Sequence, residues 1–350
     1  MNAVQIEVTS RCNASCAYCP RTVLRSGWLS RDMHMDLFTR VLSEVKGEVR
    51  LVYLQGWGEP LLNPDILEMI RLARRELDAQ VGLTTNGTLL DDGTIRDLIG
   101  AGLDVIGISF AGGSAATHDE LRRGCDFDRV VSNAKALVKG KKEAGSNLRV
   151  IASYLMTRQN VREMPRFVSL CGEIGITEVT FTNLAYMPSE GLLPLKVFGC
   201  HGEGPDPAAE ASMAEAREVA ESLGMKAFVY GLSCRELATC PEDPSGTAFI
   251  GVGGEVSPCV FTNLPTQGPT VTRVFAGATA QAGKVAFGNV GTEDLDAIWN
   301  GAEYKRFRAT FDERTRVAAD LTELLSPLFE PAPFPALPEC CRTCYRILNV

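Results

Sequence analysis

Six β-rich runs, at residues 4–8, 49–55, 80–85, 105–110, 148–156 and 178–184, alternate with amphipathic stretches at 36–45, 64–77, 91–101, 127–142 and 164–174. Strand, helix, strand repeated at this spacing predicts an α/β fold with a parallel sheet and right-handed crossovers. Six strands suit a partial (β/α)6 TIM-like barrel better than the eight of a closed one. A helix over 208–223 and a short strand over 226–230 close this region, after a stretch punctuated by Pro188, Gly191, Pro194, Gly199 and Pro205. The expected division is a barrel domain over 1–232 and a small loop-rich, cysteine-ligated region over 233–350. In the latter, 295–308 reads as a helix, and 265–284 and 316–338 receive no detailed structure. Parallel α/β sheets collect ligands at the carboxyl ends of their strands, so chemistry is sought there.

Composition excludes several classes of function. The 350 residues are 45% hydrophobic, and no run approaches the roughly 20 apolar residues that span a bilayer, so no membrane partner is expected. A net charge of −8 offers no basic field for nucleic acid. The chain enters a strand almost at once, leaving no room for a cleaved signal. Its 12 cysteines therefore point to a reducing cytoplasm and metal ligation rather than a disulfide framework.

Directly after the first strand comes C-x3-C-x2-C, formed by Cys12, Cys16 and Cys19. A plain electron carrier holds each iron of a [4Fe–4S] cluster with a thiolate. Three local thiolates leave one iron open to another ligand, as a catalytic metal site does. Pro20 fits the end of the ferredoxin run C-x2-C-x2-C-x3-C-P, but the spacing does not. A zinc knuckle, or three thiols buried as small hydrophobes, is the structural alternative.

With Tyr18 just before its last cysteine, this motif resembles the cluster loop of the radical S-adenosylmethionine enzymes. The resemblance implies that S-adenosyl-L-methionine chelates the open iron, with Tyr18 near the adenine. The end of the second strand, Gly56-Trp57-Gly58-Glu59-Pro60, is similar to the family's G-G-E-P motif, which meets the methionine amino group. Its glycines permit close backbone approach and its proline stiffens the exit. Ser109 at the end of the fourth strand and Arg122 beyond it match a pair that holds the methionine carboxylate, and Arg123 fits equally. A guanidinium suits that carboxylate because it presents paired donors in a fixed fork. The family's acidic residue near Ala111 is missing.

Cys240, then Gly254-x4-Cys259, then Cys341-x2-Cys344 resembles the auxiliary-cluster region called SPASM or, when short, twitch. This implies a second, auxiliary [4Fe–4S] cluster with four protein ligands. Cys340 or Cys234 could replace one of them, Cys340 standing in for Cys341 being the first choice, and an all-thiolate zinc site is the structural alternative. Cys125, Cys171 and Cys200 read as core or incidental thiols. With only His34, His118 and His201, no histidine cluster exists and no catalytic base is visible.

The resemblance implies one-electron reduction of S-adenosylmethionine by a partner such as flavodoxin or ferredoxin, and a 5′-deoxyadenosyl radical that abstracts a substrate hydrogen. Oxidation or maturation of a small molecule is the first expectation, since no N-terminal leader-binding domain is seen. Peptide or protein maturation of the sulfatase-maturase or thioether-forming type is the second. A two-cluster electron-transfer protein is the reading from another class. Gln55, Thr85, Tyr154, Thr182 and Asn183 are candidate substrate contacts near strand ends.

Overall fold

The structure is a computed structural model and describes residues 1–200, 202–323 and 334–350. His201 and residues 324–333 of the 316–338 stretch lie outside the described residues. Seven parallel strands run side by side in chain order: β1 (Ala3–Ile6), β2 (Leu51–Leu54), β3 (Gln80–Thr85), β4 (Val105–Phe110), β5 (Arg149–Met156), β6 (Glu178–Asn183) and β7 (Lys226–Val229). Each crossover carries a helix. A short α1 (Pro20–Val23) and then α2 (Met35–Val45) follow β1, α3 (Ile66–Glu76) follows β2, and α4 (Asp92–Gly100) follows β3. Next come α5 (Ala115–Leu121) and α6 (Phe127–Glu143) after β4, α7 (Met164–Ile174) after β5 and α8 (Pro207–Ser222) after β6. This is the expected α/β partial barrel.

Local chemistry fixes the helix ends. Asp91 and Asp126 accept hydrogen bonds from the N–H of Thr94 (2.7 Å) and Arg129 (2.8 Å), satisfying donors that the first turns of α4 and α6 leave free. Gly175 closes α7 in the left-handed conformation, with φ 91°. Val4, Ile6, Val52, Leu54, Val81, Leu83, Ile106 and Ile108 are buried on the strands against the helical faces. Tyr154, Phe167 and Phe181 extend that core, with ring centroids of Tyr154 4.7 and 5.3 Å from the other two. Such pairs contribute about 0.5–1.5 kcal/mol each beyond their buried area.

The sheet does not stop at β1. Strand β8 (Thr247–Ile250) pairs parallel with β1, from Ala3 opposite Thr247 to Ile6 opposite Ile250. Strands β9 (Glu255–Ser257) and β12 (Gly288–Asn289) continue it antiparallel, giving ten strands. Between them, β10 (Thr270–Phe275) and β11 (Ala278–Gly283) form a separate hairpin inside 265–284. The single helix expected over 295–308 is two: α9 (Leu295–Asn300) and α10 (Ala302–Glu323). Gly301 has extended backbone (φ −60°, ψ 151°) and breaks the ladder between them. Arg308 restores contact across the break, its guanidinium 3.9 Å from the Trp299 ring centre. Among the described residues no helix is long and apolar enough to cross a membrane.

Candidate active site

The cysteine loop is built against three strand ends. Cys19 N donates to Cys16 O (3.1 Å), and α1 then starts with Pro20, whose missing N–H costs nothing at a first helical position. Glu59 N donates to Arg11 O (2.7 Å), tying the end of β2 to the residue before Cys12. Gly58 is required there, since a Cβ would collide with Thr9 O and lie 2.6 Å from Arg11 O. Beyond β4, Ser15 N and Ala17 N donate to the carbonyls of Arg123 (2.7 Å) and Leu121 (2.9 Å). Gly124, at φ +89°, fits against Asn13 and Ala14.

Cys12, Cys16, Cys19 and Tyr18 thus come together in one packed group, and Cys125 joins them. Cys125 is buried, as the core reading expects, and it packs against Cys16. Nothing local in the sequence signals this contact, which arises because 121–125 is the turn that braces the loop. Burial pushes the Cys12 thiol up and that of Cys19 to about 12. Cys16 is drawn down to about 6, chiefly by its hydrogen bond with Cys125 and then by Arg122 and Arg21. Iron binding to such thiols must displace protons.

Glu59 is 2% exposed and fully engaged inside the protein. Its Oε1 accepts from Thr85 Oγ1 (2.7 Å) and Leu61 N (3.2 Å), and Oε2 accepts from Asn86 N (2.6 Å). Asn86 Nδ2 in turn donates to Asn13 Oδ1 (2.7 Å), so this carboxylate links the ends of β2 and β3 to the cysteine loop. Arg122 is buried and donates from Nη1 to the Tyr18 hydroxyl (3.0 Å), while its Nε–H has no partner. Ser109 is half-buried near the end of β4, opposite Ser153 of β5. His118 is fully buried beside Phe110 and Phe127, and burial lowers its pKa to about 3, so it stays neutral.

A cavity of about 520 Å³ opens beside the loop. Tyr18, Cys19 and Pro20 line one part of it; Trp57, Tyr186, Val260 and Phe261 give it apolar walls; Glu242 and Arg346 contribute a charged pair. Gly56, Gly58, Glu59, Ser109 and Arg122 are not among its lining residues. Of the expected substrate contacts, Gln55, Thr182 and Asn183 line it. Thr85 and Tyr154 do not: Thr85 is bound to Glu59, and Tyr154 is fully buried with its hydroxyl on Asn160 O (2.8 Å).

A second cavity is lined by Cys240, Cys259, Cys340, Cys341 and Cys344, with Arg273, Glu242 and Arg346 beside them. Cys340 therefore belongs with the other four, its sulfur 3.8 Å from that of Cys341. Cys234 does not. It is paired with Cys200, the two Cα atoms 4.9 Å apart, which overturns its reading as a spare ligand; Cys200 is buried in the core, as expected, with its sulfur on Cys234. Burial pushes the Cys240 thiol up to about 12 and raises those of Cys259 and Cys344. Glu242 and Arg346, 2.7 Å apart, line both cavities and stand between them. Among the described residues, no three His, Cys, Asp or Glu side chains are grouped to hold a single metal ion.

Comparison with known proteins agrees with this geometry. The Radical SAM superfamily matches residues 6–171, and SPASM, an iron–sulfur cluster-binding domain, matches residues 240–345. The chain thus carries a radical SAM region followed by a SPASM region, the domain pair of SPASM-type radical SAM enzymes. The first region implies a [4Fe–4S] cluster and S-adenosylmethionine, and the second implies auxiliary iron–sulfur binding. The chain is 26% identical over 318 residues to the tungsten-containing aldehyde ferredoxin oxidoreductase cofactor-modifying protein of Pyrococcus furiosus, covering 88% of this chain and 83% of that one. It is 30% identical over 183 residues to the PqqA peptide cyclase of Gluconobacter oxydans, covering 51% of this chain and 48% of the cyclase. Here and in the match to a probable GTP 3′,8-cyclase of Methanothermobacter marburgensis (32% identity, 49% of this chain, 54% of the relative), the chain spans about half of the relative. The fold is shared with native anSMEcpe with bound AdoMet (TM-score 0.63, 19% identity, 89% of this chain and 83% of that one). It is also shared with Streptococcus suis SuiB bound to precursor peptide SuiA (TM-score 0.56, 17% identity, 88% and 66%).

Proposed function

We propose that this radical SAM enzyme oxidises or matures a small molecule held in the 520 Å³ cavity, between a cluster on Cys12, Cys16 and Cys19 and an auxiliary cluster on the second cysteine group. The observation that carries the reading is that one cavity reaches from Tyr18 and Cys19 to the Glu242–Arg346 pair, which also lines the second thiol cavity. When bound, the first cluster and S-adenosylmethionine supply a 5′-deoxyadenosyl radical.

The chain's own residues do the rest. Three thiolates leave one iron for S-adenosylmethionine, and the buried Nε–H of Arg122 is a free donor suited to its carboxylate, beside Tyr18. Ser109 is assigned to the same carboxylate. The backbone at Gly56 and Gly58 is assigned to the cofactor, with Glu7 accepting from Trp57 N between them and Glu59 holding Asn86 in place. The apolar walls exclude water from a reactive radical. Cys240, Cys259, Cys341 and Cys344 are assigned to the auxiliary cluster, with Cys340 the alternative to Cys341, and residues 1–232 and 233–350 to the two functional regions. A cytoplasmic flavodoxin or ferredoxin is assigned as reductant.

A second reading, a peptide substrate, is favoured by the relatives named as PqqA peptide cyclases and by the likeness to SuiB with SuiA. In that case a single side chain would enter the cavity.

Iron analysis of reconstituted variants tests the two-site assignment. Replacing Cys12, Cys16 and Cys19 by Ala, or Cys240, Cys259, Cys341 and Cys344 by Ala, should each lower iron from about eight to about four per chain, as two four-iron clusters require. Unchanged iron in the second variant would remove the auxiliary site.

A further inference from the structure

The β10–β11 hairpin delivers one arginine into the protein interior. Arg273 of β10 is 2% exposed and lines the second thiol cavity. Its Nη2 donates to Cys340 O (2.5 Å), but its Nε and Nη1 have no hydrogen-bond partner among the described residues, and no carboxylate pairs with it there. Arg346, the other arginine on that cavity, is already committed to Glu242 (2.7 Å) and the Tyr230 hydroxyl (2.9 Å).

A buried guanidinium without a counter-charge is costly, and its unmet donors more so. Yet the backbone on either side is clamped. Thr272 O accepts from the Tyr186 hydroxyl (2.9 Å), Val274 N donates to Met187 O (2.7 Å), and Ala276 N donates to the Tyr345 hydroxyl (2.9 Å). The fold therefore holds an unpaired cation against a group of thiols, where thiolates and bridging sulfides would be its natural acceptors.

We propose that Arg273 is the positioning residue that sets the reduction potential of the auxiliary cluster: its Nε–H and Nη1–H donate to the cluster's sulfurs, and its charge favours the reduced state. The inference rests on the assignment of an iron–sulfur cluster to this thiol group. Reduction adds negative charge, so a fixed cation and hydrogen bonds to sulfur stabilise the reduced form more than the oxidised form.

The test is an EPR-monitored redox titration of the full-length chain with Cys12, Cys16 and Cys19 replaced by Ala, leaving the second group as the cluster site. At the parent's midpoint, Arg273→Met should lower the ratio of reduced to oxidised cluster at least tenfold, equivalent to 59 mV for one electron. Arg273→Lys, which keeps the charge, should stay within threefold. A Met variant that carries its cluster and stays within threefold overturns the proposal while leaving the cluster assignment intact. A parent that takes up no iron removes the cluster assignment, and Arg273's role with it. Should Arg273→Met fold without loading iron, Arg273→Gln decides by the same titration. Failure of all three folded variants to load would make Arg273 an assembly residue and overturn the claim on potential.

Discussion

Glu7 Oε1 accepts a 2.8 Å hydrogen bond from the backbone N–H of Trp57, placing a carboxyl under the turn that ends β2. The fit is tight: a Cβ on Gly56 would lie 2.5 Å from the same oxygen. Glu7 is 1% exposed, and burial raises its pKa from 4.5 to about 7. The folded chain keeps this proton in a range where the unfolded chain releases it, so stability falls as pH rises from about 4.5 to about 7. Glu7→Gln keeps an acceptor for Trp57 and has no proton to lose. Its stability relative to the wild type should therefore rise by about 3 kcal/mol between pH 4.5 and pH 7, whatever the amide costs at low pH. Denaturant unfolding at pH 5 and pH 8 checks this; equal differences at both would contradict it.

Gly58 has backbone oxygens, not a movable side chain, where a Cβ would go. Gly58→Ala must push Thr9 and Arg11 away and shift the cysteine loop. A loss of about 3 kcal/mol or more is expected, at the upper end of ordinary overpacking. Iron retained after reconstitution should fall as well. Wild-type melting and iron content in this variant would show that the loop is not held by this contact.

Glu59→Gln introduces an amide N–H₂ against either the Thr85 hydroxyl or the Asn86 N–H, both of which now donate to the carboxylate. One buried donor loses its acceptor, at a cost of about 1–3 kcal/mol. The expected outcome is lower stability and a lower yield of 5′-deoxyadenosine per iron, because Asn86 and Asn13 are no longer fixed beside Cys12. Calorimetry with iron-normalised turnover checks both.

Cys125 packs on Cys16 without belonging to the three-cysteine motif. Cys125→Ala should cost about 1–2 kcal/mol, a usual loss for a small buried truncation. It should leave iron uptake at the first site and cleavage of S-adenosylmethionine largely intact. Loss of both would make Cys125 a ligand.

Much of the barrel was legible because short β-rich runs recur at regular spacing, separated by amphipathic helices. The bounds of β3 and β4 match the expected 80–85 and 105–110. The C-terminal strands were not legible, for local reasons. Strand β8 has four residues within a loop-rich stretch and takes its place only by pairing with β1. The β10–β11 hairpin turns at Ala276 and Gly277, both at positive φ (51° and 81°), and alanine carries no turn signal. Missing that hairpin meant missing Arg273. The cysteine motifs were legible as spacing, whereas the Cys125–Cys16 contact and the Cys200–Cys234 bond are made by the fold alone. Arg122 came from the family pattern, but its bond to Tyr18 did not.

The most direct test of radical chemistry at the three-cysteine loop is 5′-deoxyadenosine formation under anaerobic reduction with dithionite. Reconstituted wild-type protein and its Cys16→Ala variant would each be given S-adenosylmethionine. Formation by the wild type and its disappearance in the variant, with the second cysteine group still holding about four irons, is the predicted result. Two full clusters without any cleavage of S-adenosylmethionine, or cleavage that survives Cys16→Ala, would contradict the account.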